Sequence, residues 1–216
     1  MMKILSEPLS VEHLRMAIAD LPETLKGTKI IQISDLHYDG LLLSDELLTQ
    51  AIAASNQINP DLVMLTGDFV TRNPKPIHKL ARWLQKLQSR AGIYAVLGNH
   101  DLEFSHSKAE ITDALTNIGI QVLWNQVAYP LGKGLAIAGL PDFWSREFNP
   151  APVMEQIEPN IPRIVLSHNP DSAEILQQWR VDLQLSGHTH GGQIVIPGVG
   201  SVPTWIYNSR DKIPEF

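Results

Sequence analysis

The feature that most restricts what this chain can fold into is a repeated unit: a short, nearly all-apolar run stops at a polar turn, and an amphipathic helical segment follows. "KIIQIS" stops at "DLHYDG", after which Ser44, Asp45 and Glu46 open a helix through "LLTQAIAAS". "DLVMLT" stops at "GDFVTRN" ahead of "IHKLARWLQKLQ", whose apolar residues recur at helical spacing. "IYAVL" stops at "GNHD", and Ser107 with Glu110 reads as a capping box for "AEITDALTNI", which Gly119 ends. "RIVL" stops at "SHNPD" before "SAEILQQW", and "DLQL" stops at "SGHTHGGQ".

Runs that are apolar throughout, rather than alternating, fit strands covered on both faces, and strand–helix alternation implies a largely parallel sheet with helices outside it. The segments "QVLW", "VAYPL" and "LAIAGL", joined by turn residues such as Gly132 to Gly134, read instead as an antiparallel meander, so two sheets are expected. At 216 residues with no low-complexity linker, the chain is read as one domain over 1–216, with "SVPTWIYNSRDKIPEF" either a substitute closure or a shortened C-terminal end.

In open α/β sheets, sites form beyond the carboxyl ends of the strands. Five of the eight histidines, His37, His100, His168, His188 and His190, fall in just those turns, each beside Asp, Asn or another His. Taken singly, each cluster is an ordinary polar turn or cap. Five such placements together point to one convergent site, while His13, His78 and His106 lie outside the turns and read as surface or helix residues.

The chain has no cysteine, which excludes disulfides, thiolate zinc sites and a cysteine nucleophile. Imidazole and carboxylate together suit Mn, Fe, Zn or Co. Asp35, His37, Asp68, Asn99, His168, His188 and His190 are too many donors for one tetrahedral ion, whereas two divalent ions sharing one carboxylate, with Asp68 as the natural bridge, would use them all.

Asp-x-His, Gly-Asp, Gly-Asn-His-Asp, an isolated His after a strand and Gly-His-x-His, in that order from about Ile30 to Gln193, resemble the calcineurin-like metallophosphoesterases. "SDLH", "LSHNPD" and "GHTHGGQ" are similar to their bacterial phosphodiesterase branch. That resemblance implies an α/β fold, an αββα sandwich of two mixed β-sheets flanked by helices. It implies Asp35, His37, Asp68 and His190 at a first metal, and Asp68, Asn99, His168 and His188 at a second. Manganese is the expected ion, with Fe, Zn, Co or Mg as alternatives. His100 would be catalytic and face the substrate, with Asp101 orienting its ring.

The expected reaction is in-line attack of a metal-bridging hydroxide on the phosphorus of a phosphodiester, with His100 offsetting charge or protonating the departing alkoxide. Two divalent ions against two ligand carboxylates leave a local charge near 4 − 2 = +2. That local charge supplies the anion attraction lacking in a chain of 17 basic and 23 acidic residues, net −6. The scattered basic residues speak against sequence-specific nucleic-acid binding, so the expected partner is a small phosphate ester or a lipid-linked substrate. Glu7, Glu12 and His13 interrupt any apolar leader, and Gly, Pro and His break the uncharged stretch from Leu183 to Ser209, so a cytoplasmic protein without a membrane span is expected, peripheral membrane contact aside.

Two departures bear on the branch. Thr71, Arg72 and Asn73 stand where the protein-phosphatase pattern has Asp-Arg-Gly, and Asp101 stands where that pattern has Glu. Arg72 reads as a surface residue or a phosphate contact. Phe143, Trp144, Arg146 and Phe148 gather on one loop, either to wall a leaving group or to pack on the core. The alternatives to a phosphodiesterase are a pyrophosphate hydrolase of a lipid-linked sugar nucleotide and a non-catalytic scaffold on the same fold; the presence of His100 with all seven ligands speaks against the scaffold.

Overall fold

The computed structural model describes residues 9–40 and 43–190, with the backbone of 195–196 and 200–201. Strands β1 (Ile30–Ile33), β2 (Leu62–Leu65), β3 (Ile93–Ala95) and β4 (Gln121–Val122) form one sheet in that order, every pairing parallel. Helix α1 (Asp45–Gln57) connects β1 to β2, α2 (Ile77–Leu84) connects β2 to β3, and α3 (Ser107–Thr116) connects β3 to β4. A second sheet has the order β5 (Gln126–Ala128), β6 (Ala136–Gly139), β7 (Arg163–Leu166), β8 (Leu183–Leu185). Its β5–β6 pairing is antiparallel and the other two are parallel. Helix α4 (Ala151–Met154) precedes β7, and α5 (Ser172–Leu176) lies between β7 and β8. Two residue pairs, Val195–Ile196 and Gly200–Ser201, make a separate antiparallel ladder, β9 and β10.

Strand β2 shows why the runs are apolar on both faces. Val63 and Leu65 pack with Leu48, Ile52, Leu80, Leu84 and Ile111 of the helices, whereas Leu62 and Met64 pack with Ile137, Ile164 and Leu166 of the other sheet. The side-chain period of two thus sends alternate residues into different cores. A third cluster, Ala136, Ala138 and Val165 against Val153, Met154 and Leu176, lies beneath α4 and α5. Helices, sheet, sheet and helices form four layers, the expected αββα sandwich, with the first sheet parallel rather than mixed among the described residues.

Two local expectations fail for physical reasons. "QVLW" does not join a meander: β4 completes the first sheet, parallel to β3, and only β5 and β6 form the antiparallel pair. At α3 the capping box does not form, because the chain enters from a preceding turn with His106 in helical conformation (φ −94°, ψ −12°), which places Ser107 inside the helix with Oγ buried and unpartnered. The Ser44 cap does form, its Oγ accepting from Leu47 N–H at 3.1 Å. Gly119 (φ +86°) closes α3 in the left-handed conformation, with Ile120 N–H returning to Leu115 C=O at 3.1 Å. Residues 191–193 and 202–216, which include the end of "GHTHGGQ" and most of the C-terminal stretch, lie outside the described residues.

Candidate metal centre

The turns after β1, β2, β3, β7 and β8 meet at one edge of the sandwich, and their backbones continue the sheets' hydrogen bonding beyond the strands. Asp35 N–H bonds Gly67 C=O at 3.0 Å and His37 N–H bonds Asp68 C=O at 2.9 Å, while Gly187 N–H reaches His168 C=O at 2.9 Å. Below the site, Gln32 Nε2 bridges the sheets by donating to Thr66 Oγ1 (3.0 Å) and Ser186 C=O (2.7 Å). Two glycines allow the approach. A Cβ on Gly98 would collide with the Asp68 carboxylate and stand 2.7 Å from Asp68 N, and one on Gly67 would lie 2.8 Å from His168 Nδ1.

Five expected ligands adopt left-handed backbone: Asp35 (φ 52°), His37 (40°), Asp68 (53°), His188 (68°) and His190 (51°). They are five of the eight non-glycine residues with positive φ among those described, and each such conformation costs about 1 kcal/mol or more. Strain gathered this densely at one edge marks a functional site, because each turn has given up relaxed backbone to aim a side chain inward.

The side chains form three mutually close groups: Asp35, His37 and His190; His37, Asp68 and His100; and Asp68, His168 and His188. His37 Nε2 stands 3.0 Å from His190 Nε2 and 3.5 Å from Asp68 Oδ2. His190 Nε2 lies 3.5 Å from Asp35 Oδ1. On the other side His168 Nε2 lies 3.2 Å from the same Asp68 Oδ2, and His188 Nδ1 is 2.9 Å from Asn99 Oδ1. All seven expected ligands are therefore brought together, with Asp68 central to both sets.

Hydrogen bonding fixes the tautomer of His168. Its Nδ1 faces Thr66 C=O at 2.7 Å, and a carbonyl only accepts, so Nδ1 carries the proton and Nε2 presents a lone pair. That Nε2 is fully buried and lies 3.2 Å from Asp68 Oδ2. Burial opposes charge on His168, yet the adjoining Asp68 carboxylate raises its pKa to about 9, so without a cation the ring takes a second proton on Nε2 and donates it to Asp68. A bound cation would take the place of that proton. Asp68, despite desolvation, is held below the ordinary carboxylate range by its hydrogen bond to His168. Burial lowers His37 and His188, keeping both neutral as ligands must be. This donor set, neutral imidazole with carboxylate and amide oxygen, fits divalent cations.

His100 and Asp101 act differently from each other. His100 Nδ1 donates to Thr71 C=O at 2.5 Å, which holds the ring edge-on to His37 and leaves Nε2 as the nitrogen able to give or take a proton. Its own N–H donates to Asp68 Oδ1 at 2.9 Å. The expected contact between Asp101 and the His100 ring is replaced: Asp101 is buried and accepts from the N–H groups of Phe69 (2.9 Å), Val70 (3.2 Å) and Gly98 (3.0 Å). Asp101 therefore clamps the turns after β2 and β3, and burial with the nearby Asp68 charge pushes its pKa to about 7. Arg72 is a surface residue whose Nε lies 3.8 Å from Glu103.

The aromatic loop divides. Phe143 and Phe148 pack edge-to-face on each other at 5.2 Å, while the exposed Trp144 stands edge-on to His188 at 4.8 Å between ring centroids. Asp142, which sequence reasoning passed over, is also here. It follows the "LAIAGL" run as Asp35 and Asp68 follow theirs, so the same strand-end rule would have found it.

A cluster of imidazoles, carboxylates and one amide at the strand ends of a two-sheet sandwich defines a metal-dependent hydrolase. Residues 28–192 match the calcineurin-like phosphoesterase family, and the chain belongs to it, as a metal-dependent phosphoester hydrolase. It is 36% identical to "Phosphodiesterase YaeI" of Escherichia coli over 199 residues, covering 90% of this chain and 72% of that one. It is 31% identical to "UDP-2,3-diacylglucosamine pyrophosphatase LpxG" of Chlamydia trachomatis, with 80% of this chain and 66% of that one covered. Identity to the metallophosphoesterase YkuE of Bacillus subtilis is also 31%, over 92% of this chain and 71% of that one. Among solved structures, TT1561 of Thermus thermophilus shares the fold at a TM-score of 0.52 with 16% identity, over 74% of this chain and 80% of that one.

Proposed function

We propose that the chain is a dinuclear metal-dependent phosphodiesterase, and one observation carries this reading: Asp68 Oδ2 lies between His37 Nε2 at 3.5 Å and His168 Nε2 at 3.2 Å, one imidazole from each donor set. Asp35, His37, Asp68 and His190 would hold one cation, and Asp68, Asn99, His168 and His188 the other. When bound, two divalent ions, manganese first among them, supply Lewis-acid charge that acidifies water and offsets the negative charge of a phosphate ester.

The chain's own residues do the rest. Thr71 C=O fixes the His100 proton on Nδ1, so Nε2 accepts a hydrogen bond in one state and, once protonated, donates to a phosphate or departing oxygen. Asp101 holds Gly98 and Phe69 in register, which keeps Asn99, His100 and Asp68 at fixed relative positions. Trp144 stands edge-on against the His188 ring. Among the described residues no helix is long and apolar enough to cross a membrane. The likeness to a UDP-2,3-diacylglucosamine pyrophosphatase favours hydrolysis of a lipid-linked pyrophosphate as a second reading.

The test is a panel of aryl phosphomonoesters, diesters and pyrophosphates assayed with Mn, Mg, Zn and Co, alongside metal analysis of the manganese-loaded protein. Close to two ions per chain and a preference for diesters are expected. Firmly metal-free protein overturns the dinuclear reading, and preference for pyrophosphates moves the assignment to the second one.

A further inference from the structure

Beside the metal centre a groove of about 380 Å³, within the range of small-molecule sites, opens between Asn99 and the 142–147 loop. At its floor lies Asp142, 1% exposed. Asp142 Oδ1 accepts from Trp144 N–H at 3.0 Å, but Oδ2 is buried with no hydrogen-bond partner. A buried carboxylate oxygen left unsatisfied is costly, and no packing need explains it.

The charged pair of the groove, Lys108 and Glu147, is already committed. Glu147 Oε2 accepts from both Lys108 Nζ and Trp124 Nε1 at 2.7 Å, and Lys108 lies 3.9 Å over the Trp124 ring. Two aromatic side chains, Trp144 at 62% and Phe104 at 47% exposure, are therefore the open apolar surfaces of the groove.

We propose that this groove binds one ester arm of the phosphodiester substrate, that the arm is a sugar, and that Asp142 Oδ2 accepts a hydrogen bond from one of its hydroxyls. The inference rests on the phosphodiesterase reading and adds the substrate class. A lone carboxylate oxygen requires a donor. A hydroxyl fits better than an ammonium, because the adjoining metal centre would repel a second cation when loaded. The C–H faces of a pyranose ring pack on Trp144 and Phe104, which a linear polyol does less well. Asp142 is thus a specificity-determining residue, and the unspent oxygen becomes satisfied only when substrate is seated.

Two diesters with the same leaving group separate this from simple ring-shaped apolar binding: glucose 6-(p-nitrophenyl phosphate) and cyclohexylmethyl p-nitrophenyl phosphate, which keeps the ring but lacks the hydroxyls. With manganese-loaded protein, kcat/KM is expected to favour the sugar diester by about 10–100-fold, the range for a hydrogen bond to a charged group. Asp142→Ala, which removes the accepting oxygen, is expected to bring the sugar diester down to the level of the cyclohexyl diester, mainly through KM, with metal content unchanged. Wild-type protein that treats the two diesters alike overturns the proposal even if the variant does not fold, and so does a variant that loses both activities equally. Wild-type protein that hydrolyses neither, nor methyl p-nitrophenyl phosphate, overturns the phosphodiesterase reading itself.

Discussion

At the scale of single residues, the proposed roles divide between groups that would hold cations and one, His100, that would move a proton. His100 is anchored through Nδ1 to a backbone carbonyl, so replacing it is expected to leave the seven proposed metal ligands in place. His100→Asn is expected to lower turnover of an aryl phosphodiester by about 10²–10⁴-fold while metal content, read by atomic emission, stays as in the parent. Equal loss of metal and activity reassigns His100 as a ligand. Asp68 has the opposite profile, since its Oδ2 faces both donor sets and its Oδ1 receives the His100 N–H. Asp68→Asn is expected to deplete both ions together, and selective loss of one ion removes it from the bridging role. The convergence of these turns could be anticipated from the sequence because polar residues at the ends of apolar strands have no structural reason to be so numerous. The role of Asp101 could not, because which backbone it clamps depends on the approach of two turns 32 residues apart.

At the scale of elements, the centre depends on how closely the strand-end turns stack. Gly98 has no Cβ where the Asp68 carboxylate lies against it. Gly98→Ala is expected to displace Asp68, with manganese affinity falling at least tenfold in a titration followed by calorimetry and far-UV circular dichroism little changed. Unaltered affinity shows that the turn yields without moving the carboxylate. Short elements also mark the limit of sequence reading. β2, and β7 beyond Arg163, were legible because burial on both faces leaves them apolar, and β1 and β3 because their runs are broken at most by one polar residue, Gln32. β4 carries two residues, too few to show which sheet they join, and pairing with β3 is decided by the passage of α3 across the first sheet. The α3 cap was misplaced because the preceding turn already has helical backbone, a matter of chain entry rather than composition.

At the scale of the whole molecule, the second sheet is tied to the N-terminal segment by Arg180. Its guanidinium pairs with Asp182 (2.8 Å) and Asp20 (3.0 Å) and donates to Ala19 C=O (2.8 Å), while Asp182 also accepts from Arg163 N–H at 2.8 Å. Desolvation acts to raise the Asp182 pKa, but the Arg180 hydrogen bonds and the Arg163 N–H together hold it below the ordinary carboxylate value of 3.8. A depressed folded-state pKa contributes stability that is present above the unfolded value and lost as pH falls through the folded one. Asp182→Asn is therefore expected to cost about 1.5–3 kcal/mol near neutral pH, the range for hydrogen bonds to charged groups. The gap between parent and variant in urea unfolding should hold down to about pH 4 and close below it as the parent's carboxylate takes up its proton. A gap that persists unchanged at pH 2 would mean the side chain acts through packing alone, since protonation would then remove nothing that Asn had not already lost. The network lies at the Arg163–Asp182 end of β7 and β8, opposite the ends that carry His168 and His188, so the variant is expected to lose stability without losing metal.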